Sequence, residues 1–240
     1  MIVKTLIPEW PAASSVNAVS TLRSGGTSTR EYTGLNLADH VGDDPACVAE
    51  NRRLLQQSLG LRQAPIWLSQ VHGNRVIHSR EESREADGVW TDEADTSCAV
   101  MTADCLPILL CDRRGSKVAA IHAGWRGLVG GIVHSAVAAL RCEDLMAWLG
   151  PAIGPDAFEV GEDVRTAFVD KSPAAIAGFR QNDLGRWLAD IYTLARLDLK
   201  TCGVDEIYGG GLCTFTDSCR FFSYRRDGQT GRMATLIWLH

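Results

Sequence analysis

Three apolar runs of this sequence each lead to side chains that can bind a metal ion or attack a substrate. Residues 66–71 lead to His72, residues 98–102 lead to Asp104 and Cys105, and residues 118–121 lead to His122. A glycine or proline stands close behind each run, which lets the backbone turn tightly beside a bound group. If the runs are neighbouring strands, their ends converge, and we expect these side chains to form one shared site.

The combination of Cys105 with His72 and His122 suits a borderline-soft ion such as zinc. A zinc ion with three protein ligands keeps one coordination position open and lowers the pKa of a bound water toward about 7. The same residues also permit a metal-free chemistry, in which Cys105 is a thiolate nucleophile and His122 or His72 is its base. Asp104 is a candidate for orienting a ligand or for acid–base catalysis, and equally for a structural role as an acceptor of backbone N–H groups. The spacing leaves these alternatives open.

A second group of residues is suited to anions. The segment 123–127 leads from a predicted strand into a predicted helix, so free backbone N–H groups and the positive end of the helix dipole lie near His122. Arg126 adds a guanidinium there, and Arg52 and the pair at 225–226 are further candidates, although solvated charge is the ordinary role of a single arginine. The segment predicts a phosphate-binding site, with a tight strand-to-helix turn as the alternative.

The histidine count excludes one kind of chemistry. A multicopper oxidase needs about ten histidine ligands, arranged largely as His-x-His pairs. This sequence has six histidines and no such pair. An electron-transferring multicopper cluster is therefore excluded on ligand count.

Helices and strands interleave along the chain and must position these residues. The spacing of apolar residues predicts helices over 43–59, 128–140 and 182–201. Apolar runs of strand length predict strands over 66–71, 98–102, 108–111, 118–121, 146–149, 221–224 and 235–239. The short link at 112–115 predicts an antiparallel hairpin, so we expect mixed sheets. No repeat or low-complexity linker divides the sequence, which predicts one mixed α/β (α+β) domain over residues 1–240.

The composition limits the partners of the protein. The chain has 24 Lys and Arg against 29 Asp and Glu, a net charge of −5, and 45% hydrophobic residues. A folded globular protein with this acidic balance and no long basic run is predicted to bind no nucleic acid. No apolar stretch reaches the roughly 20 residues of a membrane span, and no export signal is visible. We therefore expect no membrane association, a cytoplasmic location and free thiols at the cysteines.

Three motifs carry a resemblance to a known family: Gln70-Val71-His72-Gly73, 102–107 and 122–127. They are similar to the signature motifs of the bacterial YfiH-like family. That family is also called the laccase-domain, multicopper polyphenol oxidase or purine nucleoside phosphorylase family, and in some members peptidoglycan editing factor. Further matching segments follow in the same order along nearly the whole chain: Arg23-Ser24-Gly25-Gly26, Leu35-Asn36-Leu37, Glu50-Asn51-Arg52, 150–154, Cys213-Thr214 and 222–226.

The resemblance implies a single domain of four layers, α/β/β/α, with a zinc ion held by the residues that match His72, Cys105 and His122. Relatives are credited with phosphorolysis of adenosine, inosine and methylthioadenosine and with adenosine deaminase activity, so the implied partners are a purine nucleoside and phosphate. Arg52 matches an active-site arginine of the family, and Asn36 is implied to line the same pocket.

Arg126 is the other substrate-binding residue that we predict, on the strength of its anion-binding segment. Copper in place of zinc fits the same ligands, because imidazole and thiolate bind both metals. The polyphenol oxidase label has little physical support, because the histidines are too few for a multicopper cluster.

Other functions stay open from the sequence alone. A cysteine-dependent hydrolase would use Cys105 with His122 or His72, and the editing-factor name suggests an amidase that acts on peptidoglycan precursors. No sequence feature favours that substrate. A non-catalytic binding module is a further alternative, and it would keep its ligand affinity after Cys105→Ala.

Overall fold

The computed structural model describes residues 3–240, so the first two residues of the predicted domain lie outside the described residues. The strands are β1 (Thr5–Leu6), β2 (Val16–Thr21), β3 (Val76–His78), β4 (Gly88–Thr91), β5 (Ser97–Thr102), β6 (Leu106–Asp112), β7 (Val118–Ala123), β8 (Leu145–Leu149), β9 (Glu159–Val160), β10 (Phe179–Gln181), β11 (Trp187–Ala189), β12 (Glu206–Gly209) and β13 (Met233–Leu239). The α-helices are α1 (Pro45–Ser58), α2 (Trp125–Val129), α3 (Ile132–Leu140), α4 (Glu162–Lys171), α5 (Ile191–Thr201) and α6 (Tyr224–Asp227).

Two sheets form the centre of the protein. An antiparallel sheet has the strand order β1-β2-β13-β5, and a mixed sheet has the order β12-β8-β6-β7-β4-β3. In the mixed sheet β12 and β8 are parallel, as are β3 and β4, whereas β6, β7 and their other neighbours are antiparallel. The predicted hairpin at 112–115 is confirmed as the turn between β6 and β7, where Gly115 takes φ +66°.

The alternation of side chains along β6 explains why the sheets stack. Leu109 and Cys111 point into the layer between the sheets, where they join Val100 of β5. Ile108 and Leu110 point to the opposite face, in the core formed with α3 and α5. Because successive strand residues face opposite sides, a strand covered on both faces is a continuous apolar run.

The helices cover the outer faces of the two sheets. α1 packs Leu55 against Met101 of β5 and Leu236 of β13, on the outer face of the four-stranded sheet. α3 and α5 pack Ala136 and Leu199 against the outer face of the six-stranded sheet. The resulting sequence of layers is α/β/β/α with mixed sheets in a single domain, and the predicted fold class is confirmed.

One of the three predicted helices is confirmed whole and two need correction. The helix at 43–59 is α1. The prediction over 128–140 is wrong in continuity, because Gly131 takes the left-handed conformation (φ +86°) and separates α2 from α3. The prediction over 182–201 is wrong in its first half, which forms the turn and the second strand of the hairpin β10–β11. Asp190 then caps α5 by accepting from two backbone N–H groups.

Five of the predicted strands are confirmed as parts of β5, β6, β7, β8 and β13. The predicted strand at 66–71 is wrong, because the segment makes only two isolated bridges, Ile66 with Cys98 and Ser69 with Glu85, and the rest of it is loop. The predicted strand at 221–224 is also wrong: its two phenylalanines are fully buried in irregular backbone that leads into α6. An apolar run indicates burial, and here the buried side chains come from loops.

Among residues 3–240, no helix combines the length and the apolar content that crossing a bilayer requires. The cytoplasmic location stays a prediction. All eight cysteines are free thiols, as the sequence predicted.

Candidate functional site

His72 lies in the loop before β3, and two side chains hold that loop in place. Gln70 donates to the Met101 carbonyl oxygen (2.8 Å) and accepts from the Met101 N–H (2.7 Å), which fastens the loop to β5. His72 takes a left-handed conformation (φ +61°), which is costly for a residue other than glycine. The carboxylate of Asp87 stabilises it by accepting from three consecutive N–H groups, those of Val71 (3.2 Å), His72 (2.9 Å) and Gly73 (2.6 Å).

Cys105 lies where the chain crosses from one sheet to the other. β5 ends at residue 102 in the four-stranded sheet and β6 begins at residue 106 in the six-stranded sheet, so residues 103–105 form the crossing. Asp104 adopts φ +94° within it. Its carboxylate accepts from the Thr214 hydroxyl (2.5 Å) and from the Arg225 N–H (2.7 Å). Both oxygens of Asp104 are thus used to hold the crossing against the segment 214–225.

His122 is the next-to-last residue of β7 and is 3% exposed. Its Nδ1 lies 2.8 Å from an Asp87 oxygen, and its backbone N–H donates to the Asp87 carbonyl oxygen (2.7 Å). Because a carboxylate only accepts, Nδ1 carries a proton, and the neutral form of the imidazole then has its lone pair on Nε2. Asp87 therefore fixes both the His72 loop and the tautomer of His122.

The structure brings His72, Cys105 and His122 together. One ligand atom from each lies within 4.8 Å of the other two. The two imidazole rings meet edge to face, with centroids 4.8 Å apart. Gly124 leaves the space for the thiol, because a Cβ at that position would lie 2.9 Å from Cys105 Sγ.

The electrostatics of the cluster favour a thiolate. Burial alone would raise the pKa of Cys105, but the charge and hydrogen bonds of His122, followed by those of His72, outweigh it and lower the pKa to about 6. Burial would lower the pKa of His122, but Cys105 and Asp87 raise it to about 9. The pKa of Asp87 is lowered: burial opposes this, and the His122 and Gly73 hydrogen bonds prevail. The metal-free cluster thus holds a thiolate beside an imidazolium.

The residues present fit a zinc ion. Zinc takes sulfur at about 2.3 Å and imidazole nitrogen at about 2.1 Å, so two ligand atoms of one ion lie at most about 4.4 Å apart. The observed limit of 4.8 Å is within a small side-chain adjustment of that value. Thiolate and neutral imidazole nitrogen are the ligand types that zinc prefers. A histidine whose other nitrogen donates to a carboxylate is a recurrent feature of zinc sites.

The structure places Arg52 in α1 and Asn36 in the loop that precedes α1. The Arg52 guanidinium donates from Nε to the Leu37 carbonyl oxygen (2.9 Å), stacks on Trp67 and lies 3.4 Å from Asp39. Asn36 is fully buried, and its side chain bonds groups of its own loop and accepts from the Arg232 N–H (2.9 Å). These contacts join the loop to β13, and none of them is with the His-Cys-His cluster.

Arg126 lies on the surface. It is exposed, and its guanidinium stacks on the neighbouring Trp125, 4.4 Å from the ring centroid. α2, which contains it, has five residues. No hydrogen bond or ion pair links Arg126 to the cluster within residues 3–240, and its connection to the cluster is its position four residues after His122.

Sequence reasoning missed Asp87 and Arg232. Asp87 is completely buried directly before β4, a strand that was not predicted, and a buried aspartate next to an apolar run was the available signal. Arg232 directly precedes β13, and nothing in its local sequence separates it from the other arginines. Both residues become recognisable only when the strands are paired.

Sequence comparisons identify the family and its curated relatives. Residues 17–240 match the family described as multi-copper polyphenol oxidoreductase laccase. A protein of Pseudomonas aeruginosa named purine nucleoside phosphorylase is 51% identical over 239 residues, covering 98% of each chain. The Escherichia coli protein named purine nucleoside phosphorylase YfiH is 49% identical, covering 98% of this chain and 99% of its own.

Solved structures of similar proteins have the same architecture as this chain. A crystal structure of a Neisseria meningitidis protein superposes with a TM-score of 0.94 at 49% identity, covering 98% of each chain. The structure of YlmD from Geobacillus stearothermophilus gives a TM-score of 0.86 at 32% identity, covering 97% of this chain and 94% of its own. Similarity of sequence and of fold therefore extends over almost the entire chain.

Proposed function

Because this chain belongs to the multi-copper polyphenol oxidoreductase laccase family, we propose from its site and its relatives that it is a zinc-dependent purine nucleoside phosphorylase. The proposed substrates are adenosine, inosine and methylthioadenosine with phosphate, in the cytoplasm, and the proposed second activity is deamination of adenosine. The observation that carries the proposal is the convergence of His72, Cys105 and His122. The names of the relatives from P. aeruginosa and E. coli support the choice of substrate.

Phosphorolysis exchanges one bond for another at the sugar. An oxygen of hydrogenphosphate forms a bond to C1′ of the ribose while the bond from C1′ to the purine N9 breaks. The electron pair of the broken bond leaves with the purine, and the proton of hydrogenphosphate ends on the base. The transition state carries positive charge on the sugar and negative charge on the departing base. In deamination, water adds to C6 of adenosine and ammonia leaves.

His72, Cys105 and His122 are the proposed metal ligands, with copper as the alternative to zinc. A zinc ion supplies a Lewis-acidic positive centre when bound. Asp87 prepares the ligands by keeping the proton of His122 on Nδ1 and by holding the backbone of His72. This preparation lowers the cost of assembling the three side chains around one ion.

The remaining predicted residues have separate proposed roles. Arg52 is a proposed phosphate contact because it matches an active-site arginine of the family; its Nη2 lies 3.4 Å from an Asp39 oxygen. Arg126 is a proposed substrate contact at the exposed side, and Asn36 is proposed to position the loop that lines the pocket. For Asp104 a positioning role is favoured over acid–base catalysis, because both of its oxygens already accept hydrogen bonds.

Metal analysis combined with a turnover screen tests the proposal. We expect close to one zinc per chain and conversion of adenosine plus phosphate to adenine and ribose 1-phosphate, followed by chromatography. Cys105→Ala should lose both metal and turnover. Cys219→Ala, which changes an exposed cysteine, is the matched control and should lose neither. A protein without metal that converts no nucleoside would contradict the proposal.

The second candidate function is a cysteine-dependent hydrolase or amidase, with peptidoglycan precursors as its candidate substrates. It is favoured by the lowered pKa of Cys105 beside His122, because a thiolate paired with an imidazolium is a competent nucleophile without metal. Chelation distinguishes the two functions. The hydrolase keeps its activity in a chelator and loses it on alkylation of Cys105, whereas the phosphorylase loses its activity in the chelator.

A further inference from the structure

Strand pairing places Arg232 next to the crossing that carries Cys105. In the four-stranded sheet Met233 of β13 pairs with Thr102 of β5. The next position in this antiparallel register sets Arg232 opposite Ala103, the first residue of the crossing. The Arg232 N–H donates to Asn36 Oδ1 (2.9 Å), so its backbone is anchored on a fully buried side chain.

The guanidinium of Arg232 is only partly used by the protein. Its Nη1 donates to the carbonyl oxygens of Thr230 (2.8 Å) and Gly231 (3.1 Å), which fixes the direction of the group. The Tyr224 ring lies 5.8 Å from its central carbon. Within residues 3–240, no atom accepts from Nε or Nη2, and no carboxylate forms an ion pair with the group. Two parallel donors thus remain free on a half-buried cation.

The charge around Arg232 agrees with this placement. Burial lowers the pKa of its guanidinium, and the negative charges of Cys105 and Asp104 act on it in the opposite direction. Asp104 does not neutralise it, because its two oxygens are held by Thr214 and the Arg225 N–H. The guanidinium therefore lies within electrostatic reach of the cluster with its charge unpaired.

Neighbouring arginines lack this combination. Arg226 donates to the carbonyl oxygens of residues 214, 215 and 221 and pairs with Asp227, so its fork is full. Arg225 turns its Nη1 to the carbonyl oxygen of Glu159. Arg23 donates to the Ser218 carbonyl oxygen. Arg225 and Arg23 also use only Nη1 of their guanidinium groups. What distinguishes Arg232 is the strand register that sets it opposite residue 103, the first residue of the crossing.

We propose that Arg232 binds the phosphate co-substrate beside the metal centre, with Nε and Nη2 donating to two of its oxygens. A guanidinium fork matches a tetrahedral oxyanion in this bidentate way. The inference rests on the proposed phosphorylase function, because it assigns the anion of that reaction to a second arginine in addition to Arg52.

Phosphate binding to the zinc-loaded protein, measured by isothermal titration calorimetry with inorganic phosphate, tests the inference without turnover. Arg232→Gln should weaken binding about tenfold to a hundredfold, the range expected for loss of one or two charge-assisted hydrogen bonds. Arg232→Lys keeps the positive charge but not the two parallel donors, and its phosphate affinity should fall less than that of Arg232→Gln. Arg62→Gln removes an exposed arginine that pairs with Asp95 and is the matched control; it should bind as the wild type does.

The outcomes separate the two proposals. Equal phosphate affinity in the wild type and Arg232→Gln, or no phosphate binding by the wild type, would overturn the inference. Binding that depends on Arg232 in a protein that cleaves no nucleoside would keep the inference and reject the phosphorylase. Circular dichroism and zinc content establish that each variant is folded and loaded. If Arg232→Gln fails to fold, Arg232→Lys carries the test, and an affinity equal to that of the wild type then counts against the fork.

Discussion

Replacing Asp87 with asparagine should weaken both the fold and zinc binding, because one carboxylate serves four donors. Oδ1 accepts from His72 N–H and His122 Nδ1, and Oδ2 accepts from the N–H groups of Val71 and Gly73. An amide has one oxygen and one NH₂ group, so one of these two pairs of donors must face another donor.

Either orientation of the new amide has a cost. When the amide oxygen faces His122, the loop loses the two hydrogen bonds that its N–H groups at residues 71 and 73 donate. With its NH₂ group toward His122, the imidazole must accept at Nδ1 and carry its proton on Nε2, which blocks the nitrogen that faces the cluster. Two lost bonds to a buried charged group correspond to about 3–6 kcal/mol of unfolding free energy. Loss of such a partner to a ligating histidine typically lowers metal affinity about 10–100-fold.

Equilibrium urea unfolding of the metal-free protein and zinc titration against a chromophoric chelator measure the two effects. Asp112→Asn is the matched control. Asp112 is 5% exposed, and its carboxylate accepts from Ser116 N–H, Ser116 Oγ and Lys117 N–H in the β6–β7 turn, at the end of β6 away from the cluster. It should lose stability and keep zinc affinity. The reasoning is refuted if Asp87→Asn binds zinc as the wild type does, or if the control weakens zinc binding equally.

The pH dependence of Asp87 follows from the sign of its shift. Its folded pKa is below the usual value, so its ionised form stabilises the fold above the unfolded pKa, and this contribution is lost as the pH falls through the folded pKa. The free energy of unfolding of Asp87→Asn should therefore be lower than that of the wild type at neutral pH. It should also fall less steeply as the pH is lowered through the acidic range. Stability measured by urea unfolding between the neutral and acidic ranges reports this difference.

Three further predictions concern the cluster and the core. Gly124→Ala should lower zinc affinity about tenfold or more, as measured by chelator competition, because the new Cβ lies 2.9 Å from Cys105 Sγ; unchanged affinity would contradict the geometry. Alkylation of Cys105 by iodoacetamide in the metal-free protein should rise through a midpoint near pH 6, because a lowered pKa makes the thiolate the main form above that pH. In His122→Ala the midpoint should move upward, and peptide mapping that finds it unmoved would refute the assigned cause. Leu109→Ala should cost about 2–5 kcal/mol in urea unfolding, because this fully buried side chain fills the layer between the sheets, and a smaller loss would mean that the layer collapses around the cavity.

The sequence predicted the elements of the fold better than their connections to the site. The runs that became β5, β6 and β7 were recognisable because strands buried on both faces are continuously apolar. The convergence of His72, Cys105 and His122 was predicted from strand ends, yet His72 comes from a loop. The three side chains do converge as predicted, but His72 is not at a strand end. A loop held in place by side-chain hydrogen bonds can position such a side chain as well as a strand end can.

Asp87 and Arg232 could not be found from the sequence for a physical reason. Each acts through strand pairing: Asp87 reaches His122 because β4 lies beside β7, and Arg232 reaches the crossing because β13 lies beside β5. Local spacing carries no information about which strands are neighbours. Arg52, by contrast, was singled out by its match to the family, and the structure places it in the predicted helix α1, against Leu37 and Trp67, which local spacing does not identify as its neighbours.

The β6–β7 hairpin itself dictates two of the three proposed ligand positions. Leu106 pairs with Ala123 and Pro107 with His122, so the next step in the register sets residue 105 opposite residue 124. A cysteine directly before β6 must then face the residue directly after β7, and a side chain there would fill the space of the thiol. Position 124 must therefore be glycine if a cysteine at position 105 is to share a site with the histidine at position 122. Only the third proposed ligand, His72, depends on a tertiary contact for its position, namely the hydrogen bonds of its loop to Asp87. For this reason Asp87 should affect metal affinity more strongly than any residue of the hairpin core.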